Sequence, residues 1–142
     1  MEFPKQRRKI HKVFDDAEPV LIELKNKYIL AIVTNGASDL QREKIDGSKL
    51  AKYFDAIVIA GDVGIRKPEP EIFEIVLQRI QMKQDEAIMI GNALDSDIIG
   101  AQKVGIKTIW LNRNKENNES EIKPDYEISS LNELEILLTR LD

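Results

Sequence analysis

Short, continuous apolar runs alternate with longer amphipathic stretches, and this alternation leaves few architectures open. The runs are Ile29–Val33, Ala56–Ala60, Ala87–Ile90 and Thr108–Leu111, with a weaker fifth at Tyr126–Ser129. The first four do not alternate with polar residues, so they read as strands buried on both faces of a parallel sheet. Helical spacing falls between them. Residues 18–27 carry Pro19 early, where a missing N–H does no harm, with Val20, Leu21 and Leu24 apolar. Residues 38–45 open on Ser38 and Asp39, both good caps. Residues 69–81 place Ile72, Phe73, Val76, Leu77 and Ile80 on one face. Residues 96–104 end before Gly105, a helix-terminating glycine, and residues 131–141 carry a leucine stripe. Residues 112–124 are polar and read as a surface loop. The βαβα order predicts an α/β fold, a three-layer doubly wound parallel sheet with right-handed crossovers.

Composition narrows the functional classes. With 142 residues and 42% hydrophobic content, one domain with a real core is expected. The absence of cysteine removes disulfides, thiolate catalysis and zinc–thiolate sites. A net charge of −4 gives no reason to expect a nucleic-acid partner. No apolar run is long enough to span a bilayer, and the basic cluster Lys5, Arg7, Arg8, Lys9 is not followed by a signal-peptide core. No membrane partner and a cytoplasmic location are therefore expected. His11, in that basic segment, reads as a solvated residue rather than a ligand.

In an open parallel sheet, ligands bind beyond the carboxyl ends of the strands. Thr34-Asn35-Gly36 follows the first run, Gly61 to Pro68 follows the second, and Gly91 to Asp97 follows the third. Thr34 and the N–H groups of Asn35 and Gly36 suit phosphate oxygens, and Gly36 permits close backbone approach. Lys67 can neutralise a phosphoryl oxygen. Asn92, Asp95 and Asp97 are hard oxygen donors suited to Mg²⁺. Taken singly, each has a plainer reading: a turn, a solvated lysine, a helix cap. Their succession at consecutive strand ends favours the chemical one.

Order and spacing together resemble the haloacid dehalogenase (HAD)-like hydrolases. Thr34-Asn35-Gly36 matches that family's second motif. Lys67-Pro68-Glu69-Pro70-Glu71-Ile72-Phe73 is similar to its third, and Gly91-Asn92-Ala93-Leu94-Asp95-Ser96-Asp97 to its fourth. The resemblance implies a HAD-like Rossmannoid core over residues 17–142, with residues 1–16 as a remnant of a cap or linker helix. It implies a phosphatase of small phosphorylated metabolites, with Lys67 catalytic and Thr34, Asn35, Gly36 and Lys67 binding phosphate. It also implies Mg²⁺ held by Asn92 and Asp97. A receiver domain shares the sheet and the Thr and Lys, but there the Lys-Pro pair follows the last strand.

Two departures qualify the expected activity. The family's first motif, a strand ending in Asp-x-Asp that carries the nucleophile, is not met ahead of the first run. Asp15-Asp16 is adjacent rather than spaced, and reads as a loop or helix cap. Asn92 stands where the fourth motif has a carboxylate, which implies weak metal binding. The strand of the first motif is central in the family, so its lane, roughly 10 Å wide, lies between the Thr34 and Gly91 strands. Direct pairing of those strands or a homodimer is expected to close it, with a complementing chain as a third possibility. The functional alternatives are an impaired phosphohydrolase, with dehalogenation a weaker variant, and a non-catalytic remnant serving as an interaction module.

Overall fold

In a computed structural model, residues 16–141 are described. The expected cap remnant, apart from Asp16, and His11 lie outside them. In chain order the elements are α1 (Ala17–Lys25), β1 (Ala31–Thr34), α2 (Ser38–Ser48), β2 (Ala56–Ile59) and the short α3 (Ala60–Val63). They continue with α4 (Pro70–Ile80), β3 (Ile88–Gly91), a π-helical turn (Leu94–Ile98), α5 (Ile99–Lys103), β4 (Lys107–Leu111), β5 (Tyr126–Ile128) and α6 (Leu134–Leu141). The α/β fold with parallel pairing is as the apolar runs predict, including the weak fifth strand. Ser38 is the first helical residue of α2 rather than its cap, which is Ala37.

Three layers form because each strand sends side chains both ways. Ile88 and Ile90 join a cluster with Leu21 and Leu24 of α1 and Leu134 and Leu138 of α6. Met89, between them, joins Ile72 and Phe73 of α4 and Ala101 of α5 on the opposite face. The alternation is the period of two that a strand imposes. Phe73, 2% exposed, contributes about 1.5–3 kcal/mol through burial alone. Register between β1 and β2 is fixed at their start: Leu30 N–H donates to the Asp55 carboxylate (2.9 Å), and Asp55 N–H to the Leu30 carbonyl (2.7 Å).

The strands fall into two separate parallel sheets, β1–β2 and β3–β4–β5. Direct pairing of β1 with β3, expected above, does not occur. The helical layer explains why: α4 packs on β1 and β2, and also sits beside α5, which packs on β4. Neighbouring helices lie 8–10 Å apart, about two strand spacings, so the lane between the sheets stays open. One cavity of about 620 Å³ lies along it, walled by Ala31, Ile32, Ile90 and Trp110 under α1. A second of about 650 Å³ runs along the lane on the α4 side, walled by Phe73, Leu77 and Met89.

Among the described residues, no helix is long and apolar enough to cross a membrane.

Candidate active site

The carboxyl ends of β1 and β3 and the loop before α4 bring the predicted residues together. Thr34 is the last residue of β1 and is buried, its hydroxyl donating to the Asn35 carbonyl (3.2 Å). Gly36 adopts a φ of +112°, open to glycine and strained for other residues. Its carbonyl accepts from Gly61 N–H (3.0 Å), which ties the 34–36 loop to the end of β2.

Lys67 arrives from the loop between α3 and α4 and is 6% exposed. Its ammonium donates to the Val33 carbonyl (3.2 Å) and forms an ion pair with the Asp97 carboxylate. A buried lysine needs such partners, since an unpaired charge in the interior costs several kcal/mol. The Asn35 side chain holds the Lys67 main chain at both groups: its Oδ1 accepts from Lys67 N–H (2.8 Å) and its Nδ2 donates to Lys67 C=O (3.2 Å).

Asp97 reaches this point because the chain after β3 winds into a π-helical turn, a form frequent at functional sites. Its second oxygen accepts from Ala93 N–H (3.2 Å). Gly91 makes the approach possible: a Cβ there would lie 2.3 Å from the Asp97 Cβ and 2.6 Å from its Oδ2. Gly100 does the same against Phe73. That these glycines seat Asp97 and Phe73 rests on contacts made in the folded chain, which the sequence does not show.

Asn92 and Asp95 are exposed. The Asn92 main-chain carbonyl accepts from the Trp110 indole (3.1 Å), which fixes the loop, and the exposed residue lines the cavity of the lane. Both carboxylate oxygens of Asp97 already have donors. No group of three or more His, Cys, Asp or Glu among the described residues could hold a metal. Asn92 and Asp97 alone would offer Mg²⁺ few protein oxygens, the rest of its shell falling to water or to other groups.

Asp16, expected as a loop or cap residue, makes no cap to its own helix. Its carboxylate takes two bonds from Arg113 (3.0 and 3.1 Å) and one from Leu131 N–H (3.0 Å), tying the start of α1 to the exit of β4. Asp62, just past β2, pairs with Arg42 (2.9 Å). A hydrogen bond from Ser38, ahead of the effect of Arg42, holds its carboxyl below the ordinary range.

Residues 2–111 match the family described as haloacid dehalogenase-like hydrolase. Among curated proteins, the chain is 35% identical to the phosphoserine phosphatase of Thermus thermophilus over 93% of its own length and 53% of the relative's. It is 38% identical to the glyceraldehyde 3-phosphate phosphatase of Pyrococcus furiosus, over 87% and 53% of the two chains. Among solved structures, the HAD-hydrolase YfnB of Bacillus subtilis, bound to magnesium, superposes with a TM-score of 0.83 at 38% identity. That match covers 87% of this chain and 55% of that one. The chain thus spans about half the length of the relatives it matches.

Proposed function

The chain belongs to the haloacid dehalogenase-like hydrolase family, and we propose that its described residues form the phosphate-binding half of a phosphohydrolase site for small phosphorylated metabolites. One observation carries the reading: a buried ammonium, Lys67, held at the strand ends beside Thr34 and the glycine-bearing loop. The Thr34 hydroxyl and the N–H groups of Asn35 and Gly36 would take phosphoryl oxygens. Lys67, in a site of low dielectric, would stabilise charge that develops on them. The phosphatase names of the relatives support the substrate class.

Covalent phosphoryl transfer needs a nucleophile, and in this family that is the carboxylate of the first motif. Asp97 is committed to Lys67, and no other described carboxylate pairs with that ammonium. A strand lying in the lane, parallel to β1 and β3, would end between Thr34 and Gly91, where a nucleophile is wanted. We place there a strand from a segment outside these 142 residues. It would meet two edges of unpaired backbone groups. The relatives' length, about twice that of the chain, favours this source over a second copy. Mg²⁺ then enters only with donors from the incoming segment, beside the Asn92 amide.

The test is calorimetric titration of the full chain with inorganic phosphate, alongside p-nitrophenyl phosphate turnover in Mg²⁺. Phosphate should bind, Lys67→Ala should abolish binding, and turnover should be absent. Absence of phosphate binding overturns the anion-site reading. Turnover by the chain alone that Lys67→Ala abolishes overturns the need for an outside carboxylate. Size-exclusion chromatography with light scattering should give a monomer. A dimer would assign the lane to a second copy.

A further inference from the structure

We infer that the Asn35 side-chain amide is a positioning group that sets the reach of Lys67, while the anion is left to the Asn35 backbone N–H. The inference rests on reading Lys67 as the anion-binding ammonium. Lys67 lies in a loop, where neither helix nor strand supplies partners for its main chain. A main-chain N–H and C=O left unpaired at a buried residue such as Lys67 are costly. The Asn35 amide answers both at once, accepting from Lys67 N–H (2.8 Å) and donating to Lys67 C=O (3.2 Å). Only an amide offers one acceptor and one donor in that geometry.

The consequence is a closed ring at the end of β1. Val33 accepts from the Lys67 ammonium through its carbonyl, and Asn35, two residues on, grips the Lys67 main chain. The lysine is thus held at its base and at its tip by the same strand exit. Its tip also meets Asp97 from β3. The amide oxygen and one of the two Nδ2 hydrogens are thus engaged on Lys67, which fixes where the Asn35 side chain sits. Asn35→Asp would keep the acceptor but set an oxygen against the Lys67 carbonyl. Asn35→Ala would lose both bonds.

The test is pulse acetylation of the full chain with acetic anhydride at pH 8, read by peptide mass spectrometry as the Lys67 rate relative to exposed Lys49. Asn35→Ala should raise that ratio roughly tenfold, the scale of two lost hydrogen bonds. Asn35→Asp should raise it less. Leu138→Ala, a core variant remote from the site, should leave it unchanged although it destabilises the fold. An unchanged ratio in Asn35→Ala, or an equal rise in Leu138→Ala, overturns the inference. If Asn35→Ala does not fold, Asn35→Asp decides by the same criterion. Where the wild-type chain binds inorganic phosphate, Asn35→Ala should weaken binding by a similar factor, and unchanged affinity also overturns the positioning role. Failure of the wild type to bind phosphate rejects the functional reading alone, because the acetylation ratio still decides the clamp.

Discussion

Lys67 and Asp97, 30 residues apart, meet as a buried ion pair between the loop before α4 and the turn after β3. Their side chains are 6% and 3% exposed, so neither charge is solvated except by its protein partners. The pair locks the β1–β2 half of the molecule to the β3–β5 half at their carboxyl ends.

Removing one partner should therefore be costly. Lys67→Met leaves the Asp97 charge buried with only Ala93 N–H as donor, and a loss of about 3–5 kcal/mol is expected. Asp97→Ala should cost a similar amount. The double variant should cost clearly less than the sum, since no lone charge remains. Urea denaturation of the four proteins measures this. Additive losses would mean that the pair is not coupled.

The two glycines around Asp97 make a more local prediction. Gly91→Ala puts a methyl group 2.3 Å from the Asp97 Cβ, so the carboxylate must move. Overpacking of this kind costs about 1–3 kcal/mol and should also weaken phosphate binding through Lys67. Gly47→Ala meets nothing within 4 Å and lies in α2, so it should be neutral or slightly stabilising. Thermal denaturation of both variants checks the contrast.

These relationships also mark what the sequence could tell. Continuous apolar runs made the strands and their parallel pairing legible, and the motifs singled out Lys67 and Asp97, which the fold brings together beside the end of β1. The lane was legible as a problem but not in its outcome. Whether β1 and β3 close up depends on the spacing of α4 and α5, a packing property that no single segment encodes. The Asn35 clamp was hidden for a similar reason: its partner is 32 residues away, and a Thr-Asn-Gly turn has the same sequence whichever way the amide points.

Glu133 gives the molecule a defined acid response. Its carboxylate accepts from Ser129 N–H (2.7 Å), the Ser129 hydroxyl (2.9 Å) and Ser130 N–H (2.9 Å). The Ser129 N–H bond is the main cause that holds its carboxyl below the ordinary value of 4.5. Because the folded value is depressed, its stabilisation is fully present above about pH 5 and is lost as pH falls through the folded value. Glu133→Gln should flatten stability against pH in that window, with its loss greatest at pH 7, where the carboxylate's contribution is fully present, and small near pH 3. Urea midpoints between pH 3 and pH 7 test it, and an unchanged slope would remove Glu133 as a contributor.

The open lane makes the last prediction, because an unfilled parallel edge has a measurable signature. In a parallel strand, alternate residues direct their N–H and C=O groups to opposite sides. In β1 one side is satisfied by β2, and in β3 one side by β4. The other side of each faces the cavities of the lane rather than a strand. Amide exchange in the chain alone should therefore divide β1 and β3 by alternate residues, with lane-facing amides exchanging quickly and the paired ones slowly. β4, paired on both sides, should show no such division. A strand that docks in the lane would protect the fast set in β1 and β3 together and leave β4 unchanged. Uniform protection of β1 and β3 in the isolated chain would mean that the two sheets close on each other in solution, against the helix spacing that holds them apart.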